Sequence, residues 1–154
     1  MIYTAAAGFF WVLGLLVVPP DHFRRLLPFG VLAGFALAAA VNLLGSPVLG
    51  LWSFARTGWL TVQGVPLMAL LAWIPLVIAF VHYLPEAALQ RLGWLLLFPL
   101  GFTGHQILFL RLGARAYAPG WSLPHDFTLS LTLHLLILAA YLLVTGRDAR
   151  PADR

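Results

Sequence analysis

Long apolar segments alternate with short polar connections along the whole chain. A helix that crosses a bilayer needs about 20 mostly apolar residues. Five segments meet that requirement: residues 2–20, 27–46, 64–84, 93–112 and 127–145. This pattern predicts an all-α fold, in which residues 1–146 form one domain of five transmembrane helices. Residues 147–154, which are mostly polar, are predicted to form a cytoplasmic tail.

The composition supports a membrane environment. Of 154 residues, 62% are hydrophobic and 9% are charged, whereas soluble domains carry about 25% charged residues. A soluble fold of this size could not hide so much apolar surface, because small domains leave a large share of their surface in water. The bilayer is therefore the expected partner. The absence of cysteine excludes disulfides, c-type haem attachment, thiolate zinc sites and cysteine nucleophiles.

The arginines predict the orientation of the helices. With the N-terminus outside, the inner side carries Arg24, Arg25, Arg91, Arg147, Arg150 and Arg154, and the outer side carries Arg56, Arg111 and Arg115. The excess of basic residues on the inner side favours an N-out, C-in arrangement. Because these charges are explained by orientation, they do not indicate a nucleic-acid surface. Aromatic residues such as Trp52 fall near predicted helix ends, where rings sit among headgroups.

Small residues recur every four positions in the second predicted helix, at Gly30, Gly34 and Ala38. This spacing places them on one face, where they permit close approach of a neighbouring helix. Glycine and alanine are also common in membrane helices, so composition alone explains them equally well.

Polar residues gather in the outer half of the predicted bundle. His105 lies about 10 Å below the outer end of the fourth helix, and His134 lies about 10 Å below that of the fifth. The same half contains Asn42, Gln63, Gln106, Arg111, Asp126, Tyr117 and Trp121. His82 lies near the inner end of the third helix and does not join them. Because intramembrane polar residues usually face the bundle interior, the sequence predicts an outward-facing pocket that binds a ligand.

Several chemical functions remain open for this cluster. His105 and His134 could hold a b-type haem, with Arg111 or Arg115 at the propionates. Together with His125 or Asp126, the two histidines could instead hold a metal ion. Ser130 and His134 share one helix face, which is one requirement of an intramembrane hydrolase.

Structural roles account for some of the same residues. A neutral histidine can stabilise helix packing through a hydrogen bond to a neighbouring helix, and Arg111 can extend to the outer headgroups. Asp126 stands just before the apolar run "FTLSL" and is predicted to be the N-cap of the last helix.

Three stretches, "PPDHFRRLLP", "GSPVLGLW" and "YAPGWSLPHDFTLS", resemble a small uncharacterised family of multi-pass membrane proteins from spore-forming Gram-positive bacteria. The matching positions are Asp21, Arg24, Arg25, Pro28, Trp52, Tyr117, Gly120, Trp121 and Ser130. The resemblance implies a multi-pass fold in the bacterial plasma membrane. It supplies no activity and no catalytic residue.

The sequence thus favours a noncatalytic membrane protein with an outer-half polar pocket. The expected occupant is a small amphiphile, a lipid or a partner subunit, since pockets for such ligands combine apolar walls with a few polar groups. A haem-binding redox protein and an intramembrane hydrolase are the alternatives. A partner membrane subunit or a homo-oligomer is compatible with every one of these interpretations.

Overall fold

The computed structural model describes residues 1–58 and 60–146, most of which are helical. The predicted tail, with Arg147, Arg150 and Arg154, lies outside the described residues. The described helices are α1 (Ile2–Val17), α2 (Pro20–Val48), α3 (Leu67–His82), α4 (Ala88–Arg111) and α5 (Leu123–Thr145). Within α2, the segments Gly30–Ala36 and Leu44–Val48 are π-helical. Within α3, Ala72 separates Leu67–Leu71 from Trp73–His82.

Three of the described helices, α2, α4 and α5, are long and apolar enough to cross a membrane. The other two, α1 and α3, are apolar but shorter, at 10 to 17 residues. The predicted helical class is confirmed, since 74% of the protein is helical.

Short strands also form, and the apolar pattern did not indicate them. Strand β1 (Trp52–Phe54) pairs antiparallel with β4 (Arg115–Tyr117), and β2 (Thr61–Val62) pairs with β3 (Val65–Pro66). The β2–β3 turn has positive φ at both central residues, 51° at Gln63 and 79° at Gly64, as a two-residue hairpin turn of type I′ requires. The beginning of the predicted third helix, at residues 64–66, is therefore part of this hairpin.

Helix α3 occupies the centre of the bundle. On one side Val77, Phe80 and Val81 pack with Leu95 of α4 and with α5 residues such as Ile137. On an adjoining face Ile74 and Ile78 pack with Val18 and Phe23, at the turn between α1 and α2. A helix that is apolar all round is expected to be buried in this way.

Two glycines allow α2 to approach α3 closely. A Cβ atom at Gly30 would lie 2.7 Å from the Ile78 side chain, and one at Gly34 would lie 2.8 Å from the Trp73 carbonyl oxygen. Neither distance is sterically tolerable, so the small-residue face predicted for this helix is a true packing face.

The two ends of the bundle differ in character. At one end His22 of α2 and His82 of α3 pack at 5.2 Å between ring centroids, and the Tyr83 hydroxyl donates to the Val17 carbonyl. The opposite end carries the β1–β4 pair. This arrangement confirms that His82 lies apart from the polar residues of the predicted outer half.

We expect Gly34→Ala to destabilise the protein, because the new methyl group would meet the backbone of α3. Overpacking of this kind costs about 1–3 kcal/mol. Gly93→Ala in α4 is the matched control, since a Cβ atom there has no tertiary neighbour within 4 Å among the described residues. Thermal unfolding in detergent should show a lower Tm for Gly34→Ala and no decrease for Gly93→Ala. Equal Tm values for the two variants would contradict the proposed contact.

Candidate functional site

A buried ion pair joins the chain after α4 to the first turn of α5. Arg115 Nη2 lies 3.3 Å from Asp126 Oδ1, and the two side chains are only 6% and 2% exposed. Arg115 Nη1 also donates to Gln106 Oε1 in α4. A buried ion pair needs additional hydrogen bonds to offset its desolvation, and both partners have them here.

The Asp126 carboxylate accepts hydrogen bonds from two further side chains. Trp121 Nε1 donates to Oδ1 at 3.0 Å, and the Tyr117 hydroxyl donates to Oδ2. Burial raises the pKa of Tyr117, and the hydrogen bond to Asp126 raises it further. Tyr117 therefore stays neutral and acts as a donor to the carboxylate at physiological pH.

Aromatic rings surround the Arg115 guanidinium. Its central carbon lies 4.6 Å from the Trp52 ring centroid, 5.4 Å from that of Tyr117 and 5.8 Å from that of Phe54. Burial lowers the pKa of Arg115, while the Asp126 carboxylate acts in the opposite direction. An arginine nevertheless stays charged in a protein. Contacts with ring faces stabilise a desolvated cation, so these rings stabilise the charged form.

Local sequence explains how these residues meet. Gly113, with φ of 62°, ends α4 in the left-handed conformation, and the Ala114 N–H bonds the Phe109 carbonyl. The chain then reverses into β4, whose central residue Ala116 pairs with Ser53 of β1. The Arg115 side chain is held on the buried face of the β1–β4 pair.

The prediction that Asp126 is the N-cap of the last helix is wrong. The helix begins earlier, at Leu123 with Ser122 as its N-cap residue, because Pro124 is preorganised for the first helical turn. Asp126 lies inside that turn, where the helix dipole favours a carboxylate, and its side chain is free to bind Arg115.

Below the ion pair lies a cavity of about 360 Å³ between α1, α3 and α4. Ligand sites commonly range from about 300 to 1,000 Å³. The walls are aromatic and aliphatic, and the polar side chains that line the cavity are few. These polar residues are Asn42, His105, Gln106, Arg115 and His134.

Both predicted histidines line this cavity. The His105 ring packs 4.2 Å from Phe109 and 5.7 Å from Phe10 of α1, between ring centroids. Its Nε2 atom is buried and has no hydrogen-bond partner among the described residues. His134 Nδ1 lies 2.7 Å from the Ser130 carbonyl oxygen, so this nitrogen carries the proton and donates it.

Two aromatic rings connect the two imidazoles. Phe102 lies 6.2 Å from His105, Trp73 lies 6.1 Å from His134, and the Phe102 and Trp73 rings are 5.0 Å apart. A haem coordinated by both histidines would have to displace this pair. The geometry therefore favours the haem alternative less than it favours a smaller occupant.

The remaining chemical alternatives find little support. Ser130 Oγ lies 3.4 Å from His134 Nδ1, but that nitrogen already donates to a carbonyl and cannot act as a base toward the hydroxyl. The metal hypothesis with a third ligand gains no support, because the described residues contain no group of three potential ligands. Asp126 is engaged by Arg115, and His125 stacks on Trp121 at 5.2 Å.

The structure brings most of the predicted site residues together. Asn42, His105, Gln106 and His134 line the cavity. Asp126, Tyr117 and Trp121 form the ion-pair network beside it.

Gln63 and Arg111 do not join this group. Gln63 is exposed in the β2–β3 turn, and Arg111 is exposed at the end of α4. Arg115, and not Arg111, is the arginine that lines the cavity.

Several functional residues escaped the sequence analysis. Arg115 is predicted there as an outer loop charge that could meet haem propionates, and Trp52 as a headgroup-facing ring; the prediction missed that both are buried. Tyr3, Phe10 and Trp73 line the cavity without having been predicted at all. Aromatic residues are common in membrane helices, so no local signal sets these three apart.

No protein-family model, curated protein or solved structure matches the chain. The resemblance to the membrane family of spore-forming bacteria therefore stays a prediction. Function must be argued from the site itself.

We expect Asp126→Asn to destabilise the protein strongly, because it leaves the Arg115 guanidinium buried without a counter-charge. Loss of one partner of a buried ion pair costs about 3–5 kcal/mol. Arg111→Gln is the control, since Arg111 is exposed. Denaturant unfolding in detergent micelles measures both. A change below about 1 kcal/mol for Asp126→Asn would show that the pair contributes no more than a surface salt bridge.

Proposed function

We propose that all five helices cross the bilayer and that the protein binds a small amphiphile in the cavity beside Arg115. The protein would lie in the bacterial plasma membrane, with the N-terminus outside and the C-terminus inside. Its role would be noncatalytic: it would hold the amphiphile for a partner membrane subunit or within a homo-oligomer.

The lengths of α1 and α3 are compatible with crossing the bilayer. Sixteen residues rise about 24 Å, against a hydrocarbon core of about 30 Å. A short helix is accommodated by local thinning of the bilayer or by flanking residues that reach the interface, each at modest cost. The start of α1 meets the chain after α4 through Tyr3 and Ala114, and the end of α1 meets the chain after α3 through Val17 and Tyr83, which supports an alternating up-and-down path.

Basic residues support the orientation. Arg115 is buried in an ion pair and no longer counts as a loop charge. Among the described residues, the remaining outer arginines are Arg56 and Arg111, against inner Arg24, Arg25 and Arg91. The excess on the inner side follows the positive-inside rule.

The observation that carries the binding proposal is the cavity itself. Its walls are aromatic and aliphatic, and its polar groups converge from four elements: Asn42 of α2, His105 and Gln106 of α4, Arg115 of β4 and His134 of α5. Apolar walls with a few convergent polar groups are typical of ligand sites. Such a site suits a molecule that has an apolar body and one polar end.

The proposed topology is testable by cysteine labelling, because the chain contains no cysteine of its own. We expect Ala55→Cys and Pro119→Cys to react with a membrane-impermeant maleimide in intact cells. Asp21→Cys and Glu86→Cys should react only after the cells are permeabilised. All four positions are exposed. Labelling of the second pair in intact cells would contradict the N-out arrangement.

Filling the cavity should abolish binding. Gly101 lines the cavity, and a Cβ atom there would meet open space, so we expect Gly101→Phe to fold and to occupy the ligand's position. Gly93→Phe is the matched control on the same helix, since Gly93 is equally open but does not line the cavity. Native mass spectrometry from mild detergent should show a bound amphiphile in the unmodified protein and in Gly93→Phe, and none in Gly101→Phe. Equal occupancy in all three would refute the proposed site.

A further inference from the structure

Three buried nitrogen atoms around the ion pair have no hydrogen-bond partner among the described residues: Arg115 Nε, Trp52 Nε1 and His105 Nε2. Arg115 and His105 line the cavity, and Arg115 and Trp52 line a smaller space beside it. Buried polar atoms are normally hydrogen-bonded, so each such atom needs an explanation. Two of these atoms belong to Arg115 and His105, which line the same cavity, and they indicate a place there that is built to receive a polar group.

The chemistry of these atoms defines what that group must be. Arginine Nε and tryptophan Nε1 are donors only, and imidazole Nε2 is a donor in one of its two neutral tautomers. The acceptor nearest to Arg115, Gln106 Oε1, already receives a hydrogen bond from Nη1. The occupant must therefore supply an acceptor oxygen.

Charge decides between a neutral acceptor and an anion. Arg115 and Asp126 together are neutral, and the Asp126 carboxylate already takes donors from Arg115, Tyr117 and Trp121. A second carboxylate would leave this buried cluster with a net negative charge, and an unpaired buried charge is strongly unfavourable. A carbonyl oxygen accepts the same hydrogen bonds without that cost.

We propose that the cavity binds an uncharged amphiphile whose polar end is a carbonyl group directed at Arg115 and His105, and that it discriminates against fatty-acid anions. This inference rests on the proposed binding function and specifies its ligand class. Two sources share the chemistry, a long-chain quinone and an ester lipid. The aromatic walls, with Trp73, Phe102 and Phe109, also suit a flat conjugated head, because ring pairs gain from offset or edge-to-face contact.

Four probes with matched decyl-length chains test the proposal: a decyl-substituted 1,4-benzoquinone, methyl decanoate, decanoate at pH 8, and decylbenzene. Binding to the purified full-length protein is measured by equilibrium dialysis in detergent. Binding to the cavity is taken as the difference between the unmodified protein and Gly101→Phe. This subtraction removes partition of the probe into micelles and nonspecific adsorption.

We expect the quinone, the ester or both to bind at least about tenfold tighter than decylbenzene, as one hydrogen bond from the charged guanidinium and one from a neutral imidazole allow. Decanoate should bind no tighter than decylbenzene. A preference for the quinone identifies that source, and a preference for the ester identifies a lipid; either result supports the proposal. Tighter binding of decanoate than of both carbonyl probes would overturn it and leave the proposed function intact. Equal binding of all four probes would also overturn it. Absence of any difference between the unmodified protein and Gly101→Phe would overturn the proposed function instead.

A variant of His105 tests whether its Nε2 atom donates a hydrogen bond to the carbonyl group of the ligand. His105→Phe keeps an aromatic ring in the same place and removes the Nε2 atom without touching the ion pair. Affinity for the preferred carbonyl probe should fall about three- to tenfold, while affinity for decylbenzene should not fall. His125→Phe is the control, because His125 is exposed and does not line the cavity. If His105→Phe binds the preferred carbonyl probe with unchanged affinity, the imidazole takes no part in recognising the carbonyl group.

Discussion

The ion pair between Arg115 and Asp126 is the constraint on which the end of the bundle that carries the β1–β4 pair depends. Two opposite charges withdrawn from water are tolerated only when each is paired and hydrogen-bonded. That requirement brings together Gln106 of α4, Tyr117 of β4 and the first turn of α5. It also explains why so many aromatic rings converge here, since the guanidinium needs apolar and polarisable neighbours as well as a counter-charge. The ion pair thus determines how the segment between α4 and α5 folds back.

The same constraint extends to the N-terminal half of the chain. The β1–β4 pairing places Trp52 and Phe54 over the guanidinium. Gly45 of α2 leaves room for the Trp52 indole, because a Cβ atom there would lie 2.1 Å from the ring. The Tyr3 hydroxyl of α1 donates to the carbonyl of Ala114, the residue before Arg115. Elements far apart in sequence are therefore held at one end by one charge cluster.

The cavity follows from how the helices are arranged around this cluster. Helix α3 is the central apolar helix, and the glycines of α2 let it approach closely on one side. On the other side α1 and α4 meet through aromatic rings, as Phe10 meets His105 and Tyr3 meets Phe109. Large rings bridge that gap but do not fill it. What remains is an apolar space with a neutral but strongly dipolar group at one end, which is the physical basis for the proposed selection of an uncharged amphiphile.

Much of the architecture could be predicted from the sequence because its causes are local. Apolar runs predict the helices, as in residues 93–112 and 127–145, which overlap α4 and α5 and end within one residue of them, although both helices begin four or five residues earlier. The spacing of Gly30 and Gly34 predicts a close-packed face, and helix rise places His105 and His134 at one depth, where both line the cavity. These inferences need only the period of a helix and the length of each segment.

The tertiary structure alone decided which polar residues meet. Arg111 and Arg115 are both arginines near the end of α4, and only the left-handed turn at Gly113 directs Arg115 inward and leaves Arg111 exposed. Asp126 has the sequence context of an N-cap, but a helix that begins at Leu123 turns its carboxylate toward that arginine. The β1–β4 pair joins residues more than sixty positions apart, and strands of three residues carry no periodic signal. Local patterns determine where a helix forms, whereas the partner of a buried charge depends on which distant segments are brought within about 4 Å of it.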